Sequence, residues 1–177
     1  MLQIKLRPAA ERDAHLIAAI HVASWRETYA TTLSPDFLSG PIEVELLDLW
    51  IMRLRDPVPG QVVQVAENED GAGIGFICAF CNADSEWGSI IDNLHVIQNW
   101  RGHGVGARLL RSTASLLESR GAPGGLYLWV FSSNGAALRF YERLGGKVVG
   151  QDVSSIPAAN GSRVLRVHWP TPRAVDG

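Results

Sequence analysis

Between Gln98 and Leu110 the chain reads "QNWRGHGVGARLL", with glycines at 102, 104 and 106 leading straight into an apolar helical pattern. The run before it, "GSIIDNLHV", is β-rich. Strand, glycine turn and helix in that order describe an anion-binding device. The first N–H groups of a helix have no intrahelical acceptor, and the helix dipole places positive potential there. Glycines let a phosphate approach the backbone and take up angles that other residues resist. Gly102, Gly104 and Gly106 alternate with His103 and Val105, so successive amides here are expected to surround a diphosphate. A P-loop requires G-x-x-x-x-G-K-[ST], and no Lys-Ser or Lys-Thr occurs here. A dinucleotide fold requires G-x-G-x-x-G after its first parallel strand. This loop is G-x-G-x-G, lies mid-chain and follows a meander, so neither nucleotide pattern is met.

Around the loop, hydrophobic periodicity predicts the order β-α-α-β-β-β-α-β-α-β-β. "IKLRPA" is a first strand and "ERDAHLIAAIHVASWRETYA" a helix; a short helix and a longer one follow, the longer from near Pro41 to before Pro57. "QVVQVAE", "GIGFICAF" and "GSIIDNLHV" form an antiparallel meander. The glycine-loop helix runs from about Gly104 to Ser119. "LYLWVF" is apolar on both alternating sets, which suits an interior strand. In "NGAALRFYERLGG" Asn134 stands near the N-cap, and Ala137, Phe140, Tyr141 and Leu144 form a buried stripe. "KVVGQDV" and "SRVLRVHW" close the chain as strands.

Composition narrows the class. A length of 177 residues suits one domain, 1–177, and the formal charge of −2 gives no reason to expect nucleic acid. No apolar run reaches the ~18–20 residues of a membrane span, and "MLQIKLRPAAERD" lacks the apolar block of a signal peptide. A cytoplasmic location is the expectation. Cys78 and Cys81 form a C-x-x-C pair, open to redox or half-zinc readings. No second pair completes four ligands, and odd spacing on a strand puts the thiols on opposite faces. No metal is expected.

The pattern R-G-x-G-x-G, Arg101 to Gly106, preceded by "NLHV" and followed by "ARLL", resembles the acetyl-coenzyme A signature of the GNAT superfamily of N-acetyltransferases. "LWVFSSNGAALRFYERLGGKVVG" resembles that family's later strand, Asn-capped helix, aromatic pair and "LGF" turn. Here the turn reads Leu144–Gly145–Gly146, so the usual aromatic is absent. The resemblance covers about residues 2–169. It implies the mixed α/β GNAT fold: a central, mostly antiparallel sheet of about seven strands, flanked by four to five helices and splayed between strands 4 and 5.

The resemblance also implies roles. The main chain of Leu94–His95–Val96 would pair with the pantetheine arm, notably Leu94 and Val96. The amides of Gly102, His103, Gly104, Val105, Gly106 and Ala107 would hold the pyrophosphate. His103 is read as exposed, giving its amide but not its imidazole. Arg101 would add charge near the phosphates. Asn134 matches the family asparagine near the acyl end and Tyr141 the tyrosine near the sulfur. Acetyl-CoA is then the acetyl donor, and the acceptor a primary amine of a small molecule or a protein. The alternative is a non-catalytic module that binds acyl-CoA as a sensor. Homodimers are common among relatives, though no stretch here marks an interface.

Acetyl transfer requires a neutral amine, a donor for the oxyanion and a proton for the departing thiolate. The Val96 backbone N–H is the candidate oxyanion donor and Tyr141 the candidate acid, with packing in the apolar stripe as the other reading of Tyr141. Asn134 reads equally as an N-cap. Glu86, Asp92 and His95 are candidate bases beside a chain of waters. Asp92 shares parity with Leu94 and Val96 and His95 does not, a count that a β-bulge would upset. His21, Trp25 and Tyr29 lie four apart on the first helix, as an aromatic acceptor edge or as packing. "SWRETY" followed by "FL" resembles the acceptor-side segment of many bacterial members. Trp50, Trp87, Trp100, Trp129 and Trp169 are individually uninformative.

Overall fold

The computed structural model describes residues 3–122 and 124–176. Strand β1 (Lys5–Pro8) passes through a 3-10 turn at Glu11–Asp13 into helix α1 (Ala14–Thr28). Periodicity starts this helix at Glu11, but Asp13 is used as an anchor. Its carboxylate takes two bonds from Arg7, at 2.7 and 2.8 Å, and one from the Ala10 amide. The Arg7 guanidinium holds the Asp13 carboxyl below its usual range. Helix α2 (Pro35–Ser39) starts on the Ser34 hydroxyl, which accepts from the Phe37 amide. Helix α3 (Pro41–Arg55) begins on its proline, where a missing N–H costs nothing.

Strands β2 (Gln61–Glu67), β3 (Gly73–Asp84) and β4 (Gly88–Val96) form the expected meander. Helix α4 (Val105–Ser119), strand β5 (Leu126–Phe131), helix α5 (Gly135–Arg143), and strands β6 (Lys147–Val153) and β7 (Arg163–Trp169) follow. All seven strands join one sheet in the order β1-β2-β3-β4-β5-β7-β6, antiparallel except at β4–β5. Leu126, Leu128 and Val130 of β5 face a core shared with α4 and α5, while Phe131 faces one shared with α1 and α3. The cysteines divide in the same way. Cys78 is buried on the α1–α3 side and Cys81 packs toward the α4 side, both as free thiols. No helix among the described residues is long and apolar enough to cross a membrane.

Two features of β4 set up the site. Its pairing with β5 stops after Ser89–Leu126 and Ile90–Tyr127. That contact depends on two glycines, since a Cβ on Gly88 would lie 2.0 Å from the Gly125 carbonyl oxygen. Pinned at their N-terminal ends, the strands part beyond Ile90 and leave a wedge. The second feature is a bulge: Cys78 pairs with Asn93 and Ala79 with Ile91, so Asp92 is skipped. At the other end of α5, Gly146 leaves room for Trp169. A Cβ there would meet the indole at 2.7 Å, and Trp169 Nε1–H donates to the Leu144 carbonyl at 2.7 Å. That indole fills the space beside the turn that lacks its aromatic.

Candidate active site

The wedge widens into a cleft of about 960 Å³, bounded by the glycine loop, β4, β5, α5 and the α1 end. At the loop, Gly104 is the N-cap of α4 with φ +79°, and Gly102 has φ +81°. Neither would meet another atom with an added Cβ, so the demand for glycine is one of backbone angle. The N-terminus of α4 has no side-chain cap and no acidic residue in its first turn. The Val105, Gly106 and Ala107 amides are therefore uncapped beside the cleft, in the positive end of the helix dipole. His103 is exposed beside them, its Nδ1 3.1 Å from the Arg101 carbonyl oxygen.

Along β4, the Ile97 amide donates to Ile74 O at 3.0 Å, which makes that opposed pair a hydrogen-bonded one. Alternation then turns the amide groups of Val96 and Leu94 away from β3, toward the wedge. The Val96 carbonyl is already taken by Arg101 Nε–H at 3.0 Å, and a second Arg101 nitrogen pairs with Glu27 at 2.9 Å. Arg101 thus ties β4 to α1, which narrows its expected role near a phosphate. Val96 N–H and both Leu94 groups remain open to the wedge.

On the α5 wall, Asn134 performs two tasks. Its Oδ1 caps the helix by accepting from the Ala137 amide at 3.1 Å, and its Nδ2 donates to the Tyr29 hydroxyl at 3.2 Å. That bond joins α5 to α1 across the cleft. Tyr141 is buried in the apolar stripe yet lines the cleft. Burial raises its phenol above the usual value, so it keeps its proton at neutral pH.

The three candidate bases are separated. Glu86 lies exposed in the β3–β4 turn, at the end of β4 opposite the glycine loop, and does not line the cleft. Asp92 lines the cleft, but its carboxylate is paired with Arg53 at 2.7 Å. The bulge breaks the parity that grouped Asp92 with Leu94 and Val96. Those two pack toward α4, whereas Asp92 and Asn93 both meet Arg53 of α3. His95 is half-buried on the cleft with its Nδ1 2.9 Å from Ser24 Oγ. Burial, with the Arg101 charge adding, pushes its imidazole down to about 3. Among the described residues the buried side-chain nitrogens lacking a hydrogen bond are His21 Nε2 and Arg166 Nε. His95 Nε2 carries no bond and is not among them, so it is open to the cleft.

The aromatic edge of α1 is also divided. Trp25 and Tyr29 line the cleft, but His21 is 1% exposed and accepts from Trp50 Nε1–H at 3.1 Å. Its ring lies against that of His95, tilted by 31°, with centroids 4.5 Å apart. Steps of four residues drift around a helix by about 40° each, so His21 faces the core while Tyr29 reaches the cleft. Ser24, Trp129 and the β6–β7 segment Asp152–Ile156 also line this end. Nothing in their spacing marks them: they meet only through the sheet order. Among the described residues no group of three or more His, Cys, Asp or Glu is placed to hold a metal ion.

The family model described as "Acetyltransferase (GNAT) family" matches residues 14–146. The uncharacterized N-acetyltransferase YuaI of Bacillus subtilis (strain 168) is 28% identical over 170 residues, 94% of this chain and 93% of that protein. Streptothricin acetyltransferase of Streptomyces lavendulae is 30% identical over 120 residues, 60% of this chain and 63% of that one. Among solved structures, the PaiA N-acetyltransferase of Thermoplasma acidophilum in complex with coenzyme A superposes with a TM-score of 0.72 at 19% identity. That match covers 94% of this chain and 99% of that one. The wedge between β4 and β5, the uncapped glycine turn of α4 and the match over residues 14–146 agree: the chain is an acyltransferase and belongs to the acetyltransferase (GNAT) family.

Proposed function

We propose that the chain, with residues 1–177 acting as one domain, moves an acetyl group from acetyl-CoA to a primary amine of a small molecule or protein. Both substrates are bound together and the amine attacks directly. One observation carries this reading: a single cleft joins the uncapped N-terminus of α4, the open edge of β4 and the aromatic end of α1. The residues present fit the donor. The amides of Gly102 to Ala107 would hold the pyrophosphate, and the free groups of Leu94 and Val96 would pair with the pantetheine amides. Asn134 would stand near the acyl end. Acetyl-CoA, when bound, supplies the activated thioester.

The chain's own groups then divide the work. Val96 N–H points into the wedge and would receive the charge that develops on the carbonyl oxygen. Tyr141 keeps its proton and would give it to the departing sulfur. His95 is the base that the geometry favours among the three candidates. In the tautomer whose Nδ1–H donates to Ser24 Oγ, the Nε2 lone pair would face the cleft. So depressed an imidazole is a weak base, but an attacking amine becomes strongly acidic as its N–C bond forms, and a weak base then suffices. Trp25 and Tyr29 offer aromatic faces to the incoming amine.

The test is calorimetric titration with acetyl-CoA, then thiol release against a panel of amino acids, polyamines, basic peptides and streptothricin, the last because of the relative named above. Binding together with thiol release on one amine class is the expected result. Binding without release on any member would favour the sensor alternative, and absence of binding would remove the glycine loop from the account.

A further inference from the structure

The α1-side face of β5, β7 and β6 is built in cross-strand rows. Phe131, Val164 and Asp152 form the first row, and all three line the cleft. Trp129, Arg166 and Gly150 form the next. The Arg166 guanidinium carbon lies 4.4 Å from the ring centroids of both Trp87 and Trp129. Its Nε is buried without a partner, and the side chain makes no hydrogen bond or ion pair among the described residues. Asp84 is near enough to feel the charge, but its Oδ1 accepts from the Glu86 and Trp87 amides. Gly150, opposite on β6, leaves the guanidinium edge uncovered; an added Cβ there would sit 3.9 Å from the Arg166 NH1 nitrogen.

A guanidinium clamped between indoles has its faces covered and only its in-plane edge free. That edge matches a carboxylate, which it can hold by two parallel N–H···O bonds. An unpaired, partly desolvated guanidinium is costly to maintain unless a ligand completes it. Arg166 does not itself line the cleft, but it adjoins residues that do. It is the diagonal neighbour of Phe131, with Cα atoms about 7–8 Å apart, and Trp129 touches both Arg166 and the cleft. Resting on the transferase reading above, we propose that Arg166, gripped by Trp87 and Trp129, is a specificity-determining residue that binds a carboxylate of the acceptor. The acceptor is thus an amine that also bears a carboxylate.

The test uses matched acid and amide pairs: glycine and glycinamide, L-lysine and L-lysinamide, 6-aminohexanoate and its amide. In the wild-type protein the acid of at least one pair should exceed its amide at least tenfold in kcat/KM. Arg166→Gln should raise KM for that acid at least tenfold, with the amide and the KM for acetyl-CoA unchanged. Arg166→Lys, which keeps charge but loses the fork, should fall between, and unchanged acetyl-CoA binding guards against misfolding. No preference for any acid in the wild type, or a preference that survives Arg166→Gln, would overturn the proposal. Failure of the transferase reading shows separately, as acetyl-CoA binding without turnover. In that case calorimetry with N-acetyl-6-aminohexanoate and its amide decides: selective binding of the acid, lost in Arg166→Gln, supports the site, and equal binding of both rejects it.

Discussion

At the scale of single residues, Tyr141 and His95 owe their proposed roles to burial on the rim of a cleft. Tyr141 sits in the stripe that seats α5, yet its hydroxyl has no hydrogen-bond partner among the described residues, as expected of a group waiting for a ligand. Tyr141→Phe should lower kcat about 10–100-fold and leave the acetyl-CoA Kd within about twofold. Equal turnover in steady-state assays would reduce Tyr141 to packing. His95→Gln should cost a similar factor in kcat. The wild-type pH profile supplies the sharper check. With its imidazole pushed down to about 3, His95 is neutral throughout pH 5–9, so log kcat/KM should rise with the ionisation of the acceptor amine. An added inflection near pH 6–7 that disappears in His95→Gln would contradict the environment described for it.

Elements decide whether those residues meet. Gly104 closes the turn that aims the α4 amides, and its φ of +79° suits glycine. Gly104→Val puts a β-branched side chain in the left-handed region at a cost of roughly 1–3 kcal/mol. Acetyl-CoA affinity should fall at least about tenfold, and calorimetry showing an unchanged Kd would dismiss the loop as the phosphate seat. This loop was legible because three glycines before an apolar helix have few other uses. Asn134 was legible as a cap for a similar local reason. The β4 bulge was not, because skipping Asp92 leaves no mark in a run such as "GSIIDNLHV". Its consequence is large: Asp92 and Asn93 turn together onto Arg53, and the carboxylate that alternation grouped with Leu94 is held by an ion pair instead. His21 follows the packing alternative rather than the acceptor edge for another reason. A helix row read from spacing shows which residues are neighbours, but the drift of the row decides which one the core claims. Arg166 had no signal at all, since its partners Trp87 and Trp129 come from other strands and turns.

For the whole molecule, the cleft divides two packed layers, and a pair of histidines lies at their junction. His21 of α1 and His95 of β4 have centroids 4.5 Å apart, with Phe76 and Trp25 against His21. Burial lowers both imidazoles; His95 disfavours a charge on His21, and Arg53 and Arg101 add to the effect on His21 and His95 respectively. In the unfolded chain each would titrate near ~6.5. Below that pH the unfolded state binds protons that the folded state refuses, so stability must fall as pH falls. For His95 the window runs from about 6.5 down to about 3. Lowering the pH from 6.5 to 5 should cost about 1–2 kcal/mol at most through His95, with His21 adding in the same direction. That is a large share of the ~5–15 kcal/mol that a domain has to lose. The depressed Asp13 carboxyl does not blur the result, because its contribution is lost only below its ordinary range, at more acid pH. Urea unfolding should therefore give a midpoint that drops steadily from pH 7 to pH 5, and His95→Asn should flatten the slope. A midpoint independent of pH over that interval would mean that the pair is solvated and able to carry charge. The weak base assigned to the cleft would then have to be reassigned with it.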